Sequence, residues 1–285
     1  MTKSAVGDCR GAVSGGGLAA VGGPVMDWRR IRVDVQTDRP YSLIAQLRPD
    51  WPLDSLRFKF GFREYHSTIQ QCHRVIYVIA SAFEKKQYCT AAFLDETQAF
   101  DRVWHEGLLW KLKRILPFTY YLILKSFLTD RFFRVGHKSA TSSCYRAKAE
   151  VPQGSIAGPF LYNIHTSDIP THPSTFLASY ADDKAILSVH TDPSNAALHL
   201  QQHLDALEIW HKKWRIKVNP NKSKHVTFTL RKGSCPRVYV NRIILPTADV
   251  VRYLGLRIDK RLTWNPHTRL KRLEVKEDLG CYNDY

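Results

Sequence analysis

The stretch STFLASYADDKAILSV places two adjacent carboxylates, Asp182 and Asp183, between two strand-like runs, Phe176 to Tyr180 and Lys184 to Val189. Like charges this close repel, so the pair needs a reason. One reading is a plain hairpin whose turn uses Asp because Asp tolerates turn backbone. The other is a divalent-metal site. Carboxylates held together can share Mg²⁺, which keeps several waters and substrate phosphates beside one or two protein carboxylates. That second reading needs a further carboxylate from elsewhere in the chain. Asp95 is the best candidate, because it ends the apolar run in AAFLDETQAFD. An Asp at the carboxyl end of a strand faces the crevice where open sheets tend to bind ligands. Two ions held between Asp95 and Asp182 would activate an attacking oxygen and neutralise a leaving group at phosphorus.

The rest of the charge has the opposite sign. The 285 residues carry 42 Lys and Arg against 26 Asp and Glu, a net charge of +16, and the pI is near 9.7. From His211 to Ala248 there are 10 basic residues and no acidic one. Such an excess points to a polyanionic partner, nucleic acid before membrane surface; a solvated basic face is the plainer alternative. Carboxylates that hold metals, metals that hold phosphates and a basic surface that holds the rest of a polymer amount together to nucleotidyl transfer. Cys9, Cys72, Cys89, Cys144, Cys235 and Cys281 form no CxxC pair, so they read as free thiols of an intracellular protein, with neither a zinc site nor a disulfide framework. No apolar stretch approaches the ~20 residues of a membrane span, and glycines interrupt every candidate leader.

These side chains must be positioned by elements that the spacing also predicts. Apolar residues Ile69, Val75, Ile76, Ile79 and Ala82 suit a helix from Ser67 to Phe83. YCTAAFLD reads as a buried strand ending at Asp95, followed by a helix through Phe100, Val103, Trp104, Leu108 and Leu112 that Pro117 stops or kinks. Asp192 caps a long helix with Pro193 at its first position, and Leu200, Leu204, Leu207, Trp210 and Trp214 form its core stripe. KHVTFTL, RVYVN and VVRYLGLRID read as short strands. RPDWP at 48–52 reads as a turn or linker, and the glycine-rich segment 1–36 as disordered. The fold class is α+β, with a sheet covered by helices on one side.

Five blocks in order, FLDETQAFDRVWHEGLLWKL, VPQGSIAGPFLYNIHTSDIP, YADD, KVNPNKSKHVTFTL and VRYLGLRIDKRLTW, resemble the reverse transcriptase of non-LTR retrotransposons, most of all the jockey group of insect elements. Residues from about 38 to 267 take part. The resemblance implies an RNA-directed DNA polymerase with a right-hand fold: an antiparallel palm sheet backed by helices (93–258), partial fingers (37–92) and a truncated thumb start with an irregular tail (259–285). It implies two Mg²⁺ ions, with Mn²⁺ as a possible substitute, held by Asp95, the backbone carbonyl of Glu96, Asp182 and its neighbour Asp183. The implied partners are an RNA template, a DNA primer and deoxynucleoside triphosphates.

The same resemblance assigns further roles. Phe100 matches an aromatic gate that crowds a ribose 2′-OH, although a phenylalanine there also reads as core. Gln153 and Gly154 match the loop that contacts template and incoming nucleotide; PQGS independently reads as a turn opening a helix, with backbone N–H groups available to phosphate. Lys222 matches a lysine near the triphosphate, a solvated lysine being the alternative. Arg39 and Arg63 resemble finger arginines that touch the nucleotide's phosphates. Tyr253, Leu254, Gly255 and Leu256 match the primer grip. The chain also departs from the family. It is shorter between Leu47 and Phe58, has Glu150 where glycine is usual and Ala157 where a larger aliphatic is usual, and drifts after Arg269. It reads as a fragment of an element with intact carboxylates, so two rivals stand beside the polymerase: a silent remnant that only binds nucleic acid, and a two-metal nuclease.

Overall fold

The computed structural model describes residues 59–280, apart from 64, 138–139, 152–154 and 156. The expectations for segment 1–36, Arg39, the 48–52 turn, Gln153, Gly154, Cys9 and Cys281 lie outside the described residues.

A four-stranded antiparallel sheet organises the molecule, in the order β6 (Thr175–Tyr180), β7 (Asp183–His190), β1 (Tyr88–Leu94) and β8 (Lys224–Phe228). All seven residues of β1 are buried. Its apolar run lacks the in–out alternation of a half-exposed strand because both of its faces are covered. On one face, Ala92 and Leu94 join Leu177 and Ile186 under α5 (Pro193–Trp214). On the other, Cys89, Ala91 and Phe93 join Ala185 and Leu187 under α1 (Thr68–Glu84) and the hairpin of β11 (Val250–Tyr253) and β12 (Leu256–Asp259). The expectation of helices on one side of the sheet is thereby corrected: they cover both sides.

The long helix forms as its sequence foretells. Asp192 accepts a hydrogen bond from the Asn195 N–H (2.8 Å) at the N-terminus, and Leu200, Leu204, Leu207, Trp210 and Trp214 are all buried. Each such side chain contributes ~1.5–3 kcal/mol by leaving water. Helix α1 opens on a capping box between Ser67 and Gln70. It buries Cys72, Val75, Ile79 and Ala82, while Ile69 stays exposed on its first turn.

Beside the sheet, α2 (His105–Ile115), α3 (Phe118–Leu128) and α4 (Ala157–His165) share a core built from Val103, Leu108, Leu112, Leu128, Leu161 and Ile164. Here the structure departs from the sequence reading. Residues 97–102 form turns, and the helix expected to run through Phe100 begins only at His105. Gln98 sits at φ +52°, a left-handed conformation that no helix continues through, and Trp104 bridges to Ala149 instead. Two short ribbons, β2 (Phe132–Phe133) with β5 (Tyr145–Arg146) and β3 (Gly136–His137) with β4 (Ala140–Thr141), join α3 to α4, and β9 (Tyr239–Val240) pairs with β10 (Ile243–Ile244). Residues 265–280, within the tail expected to be irregular, form α6 (Asn265–Gly280) against β12. Its sequence is rich in charged helix formers and lacks a continuous apolar stripe, so periodicity gave no signal.

Candidate active site

Three strand ends converge at one edge of the sheet. β1 and β7 pair with Leu94 opposite Lys184, so one further step of the antiparallel register brings Asp95 across from Asp183. β6 and β7 close with Tyr180 opposite Asp183, leaving Ala181 and Asp182 as a two-residue loop, and Ala181 takes φ +54°. Opposite residues of an antiparallel pair share a face. Asp95 and Asp183 therefore lie on the α1 face, whereas Leu94 and Lys184 turn to the α5 face. Asp182 and Asp183 are exposed and Asp95 is half-buried. The carboxyl of Asp183 is raised above the usual carboxylate range, first because chain packed around it withdraws water and then because Asp182 and Asp95 repel its charge. Partial burial and solvent exposure coexist there because the side chain reaches solvent on one side only.

The backbone of Asp95 is clamped by the NPNKS segment. Its N–H donates to Ser223 Oγ (3.1 Å), its carbonyl accepts from the Asn219 N–H (2.9 Å), and Ser223 Oγ donates back to the Asn219 carbonyl (2.8 Å). Lys222 is exposed in the same turn, one residue from that clamp. The β11–β12 hairpin turns through Leu254 (φ +46°) and Gly255 (φ +86°), the double positive φ of a turn matched to strand twist. Tyr253 is buried beneath it and its hydroxyl donates to the Ala178 carbonyl (3.4 Å) in β6. Arg252 lowers, and Tyr253 feels, the charge of Asp183, so the segment 253–256 sits beside the carboxylates.

Phe100 is half-buried. It stacks on Tyr162 at 4.7 Å and meets Phe62 edge-on at 5.7 Å, and its carbonyl accepts from the Val151 N–H (2.9 Å), immediately before the PQG loop. Segment 59–63 presses on the carboxylate turn from outside the sheet. The Phe60 N–H donates to the Ser179 carbonyl (2.9 Å), and a Cβ on Gly61 would lie 2.4 Å from the Ala181 nitrogen. Arg63 is half-buried, with Nη1 donating to the Lys59 carbonyl (3.1 Å).

Sequence reading missed what lies on the α5 side. The Glu96 side chain is fully buried. Lys184 Nζ approaches Oε1 at 2.6 Å, His211 Nε2 lies 3.3 Å from Oε1, and the Tyr162 hydroxyl donates to Oε2 at 2.9 Å. Burial alone would raise the Glu96 carboxyl, but Lys184 and His211 hold it down to about 2. Burial first and then Glu96 push the Tyr162 phenol up. Lys59, buried with its Nζ on the Asn163 carbonyl (3.1 Å) and Thr166 Oγ1 (2.5 Å), is lowered by that burial and by Lys184. Only the charge of Glu96, Lys184 and Lys59 in otherwise apolar runs signals this cluster in the sequence.

Among the described residues, no three His, Cys, Asp or Glu side chains are close enough to enclose a metal ion by themselves. The donor set at the strand ends still fits Mg²⁺ or Mn²⁺. It offers hard carboxylate oxygens, and Mg²⁺ takes one or two of these beside waters and phosphates. The mutual repulsion recorded at Asp183 is what a cation there would relieve. Cys72, Cys89, Cys144 and Cys235 are free, and no helix among the described residues is long and apolar enough to cross a membrane.

A twisted antiparallel sheet carrying carboxylates on a hairpin turn and on the neighbouring strand end defines the polymerase palm. The profile of one family, reverse transcriptase (RNA-dependent DNA polymerase), matches residues 28–258, and the chain belongs to that family. It is 44% identical over 219 residues to the RNA-directed DNA polymerase from mobile element jockey of Drosophila melanogaster, covering 74% of this chain and 24% of that protein. It is 43% identical over 222 residues to the probable RNA-directed DNA polymerase from transposon BS of the same organism, with the same coverage. The chain thus spans about a quarter of the length of these relatives. In fold it is similar to telomerase from Candida tropicalis in complex with a fragment of telomeric RNA, at TM-score 0.55 and 14% identity over 79% of this chain and 35% of that one.

Proposed function

We propose that this chain carries the palm of an RNA-directed DNA polymerase of a non-LTR retrotransposon, working inside the cell on an RNA template, a DNA primer and deoxynucleoside triphosphates. The single observation that supports it most is the convergence of Asp95, Asp182 and Asp183 at one sheet edge with the 253–256 hairpin beside them. In this reading the primer 3′-oxygen forms a bond to the α-phosphorus, and the bond to pyrophosphate breaks. Asp95, Asp182, Asp183 and the Glu96 carbonyl would hold two Mg²⁺ ions. Bound there, the ions supply charge neutralisation at phosphorus and activation of the attacking hydroxyl.

The protein's own groups do the positioning. Residues 253–256 seat the primer end, Lys222 faces the triphosphate, and Phe100 closes the space a 2′-OH would need. Gln153, Gly154, Arg39 and Arg63 complete the proposed nucleotide and template contacts. The division into fingers (37–92), palm (93–258) and thumb start (259–285) belongs to the same proposal. It is supported by the single sheet core and by the helix that follows β12. A second reading, a chain that binds nucleic acid without extending a primer, is favoured by the lack of a three-ligand metal cluster among the described residues.

Primer extension on an RNA template with Mg²⁺ separates the two. The polymerase reading expects extension that Asp182→Asn reduces to background while nucleic-acid retardation in a gel is unchanged. Retardation with no extension by the unmodified chain would establish the binding-only reading. Wild-type extension by Asp182→Asn would remove this carboxylate from the site.

A further inference from the structure

Strand alternation sends neighbouring residues to opposite faces, and here it does so twice at the same place. Asp95 and Asp183 face α1, while their immediate neighbours Glu96 and Lys184 meet on the α5 side at 2.6 Å, with both side chains excluded from solvent. One buried ion pair therefore ties together the two chain segments that carry the carboxylates. Tyr162 in α4 adds a third tie. Its hydroxyl donates to Glu96 Oε2 (2.9 Å), lies 3.5 Å from the Ala181 carbonyl in the carboxylate turn, and its ring supports Phe100. His211 in α5 closes the set at 3.3 Å from Glu96 Oε1.

We propose that Glu96 is a positioning residue: gripped by Lys184 and Tyr162, it sets the separation of the Asp95 and Asp182–Asp183 segments and so the chain's affinity for divalent cations, without its carboxylate touching them. This rests on the metal-binding reading above. A buried ion pair is rarely retained for stability, since a well-packed apolar pair does as well or better. What it supplies here is a fixed distance between two backbone segments. Lys184 Nζ reaches Glu96 without a well-directed hydrogen bond, so the pair is held by the placement of the two strands. Groups that orient metal ligands from behind typically cost 10–100-fold in metal affinity when removed.

The test is Mn²⁺ binding to the purified full chain, followed by the electron paramagnetic resonance signal of free Mn²⁺, with thermal melting in parallel. Glu96→Gln keeps the shape and removes the charge; Tyr162→Phe removes only the hydroxyl and serves if Glu96→Gln does not fold. The expected result is Mn²⁺ affinity lowered about 10–100-fold in a folded Glu96→Gln chain, and lowered by a smaller factor in Tyr162→Phe. A folded variant that melts early but binds Mn²⁺ as the unmodified chain does would overturn the proposal and leave Glu96 a packing residue. Failure of the metal-binding reading looks different: the unmodified chain would bind no Mn²⁺, or Asp182→Asn would bind it unchanged.

Discussion

Phe100 shows how much depends on a single ring. It is neither fully buried nor free: one side is stacked on Tyr162 and its edge meets Phe62, which leaves part of the ring toward the carboxylate crevice. Both readings of this residue survive in that geometry, and a measurement divides them. If the ring excludes a 2′-OH, discrimination comes from a clash built against the wrong substrate, and Phe100→Ala shifts incorporation toward ribonucleotides. The same change costs ~3 kcal/mol of stability or somewhat less, because the ring is only half-buried. The ratio must therefore be read on one folded preparation. Equal loss of both nucleotides, or an unchanged ratio, makes Phe100 a packing residue.

At the scale of elements, the strands and the long helix were legible because their signals are local. Asp192, Pro193 and the leucine–tryptophan stripe lie within one helix, and YCTAAFL announces a strand buried on both faces. The Glu96 cluster was not legible, since its partners lie 66, 88 and 115 residues away in sequence and no local rule pairs them. The turn at 97–102 was missed for a related reason: it is fixed by hydrogen bonds from Thr97 to Lys217 and from Val151 to Phe100, which override the helical spacing.

One local oddity was visible and now has a cause. Glu150, standing where the family resemblance expects glycine, takes φ +115°, a conformation L side chains avoid. Glu150→Gly should raise stability by ~1 kcal/mol, net of the freedom glycine loses on folding. The cost of losing the long Arg131 contact at 3.9 Å is small by comparison. Denaturant unfolding checks it, and a lower midpoint would show the contacts of Glu150 outweigh its strain.

The sheet itself carries a pH dependence. Burial holds His225 in β8 down to about 4 and, with Lys111, His165 in α4 down to about 3. With folded values depressed below the ordinary ~6.5, the unfolded chain takes up protons first as pH falls. Stability is therefore insensitive to these groups above that value and falls between pH ~6.5 and ~4, by ~1.4 kcal/mol per pH unit for each proton. Urea unfolding of His225→Asn at pH 7, 6 and 5 should show a shallower decline than the unmodified chain. An identical decline would mean that His225 is not held neutral, despite its 2.6 Å contact with Thr90.

Over the whole molecule the question is where +16 of net charge can act. Some of the cations that are free of acidic neighbours in sequence find partners in the fold. Lys212 pairs with Glu208 at 2.6 Å, and Arg231 donates to the Lys86 and Thr191 carbonyls. Others stay available: Lys222 is exposed beside the carboxylates, and Arg231, Lys232, Lys260 and Arg261 line a cavity of about 330 Å³, with Asp249 there engaged by Lys260. That cavity lies past the end of β8 remote from Asp95, since β8 runs antiparallel to β1. Basic charge therefore brackets the sheet at both ends instead of covering one patch. A nucleic acid lying along it would meet cations over the length of a strand, and each phosphate neutralised releases condensed counterion. The expected loss of affinity is ~0.7–0.9 log units per tenfold rise in salt for each phosphate, so five contacts give ~3.5–4.5 log units. Binding of a labelled RNA–DNA hybrid measured from low to physiological salt reads this slope directly. An affinity that stays flat over that range would assign the basic residues to a solvated face, and the nucleic acid would then have to be held by the carboxylate crevice and its metals alone.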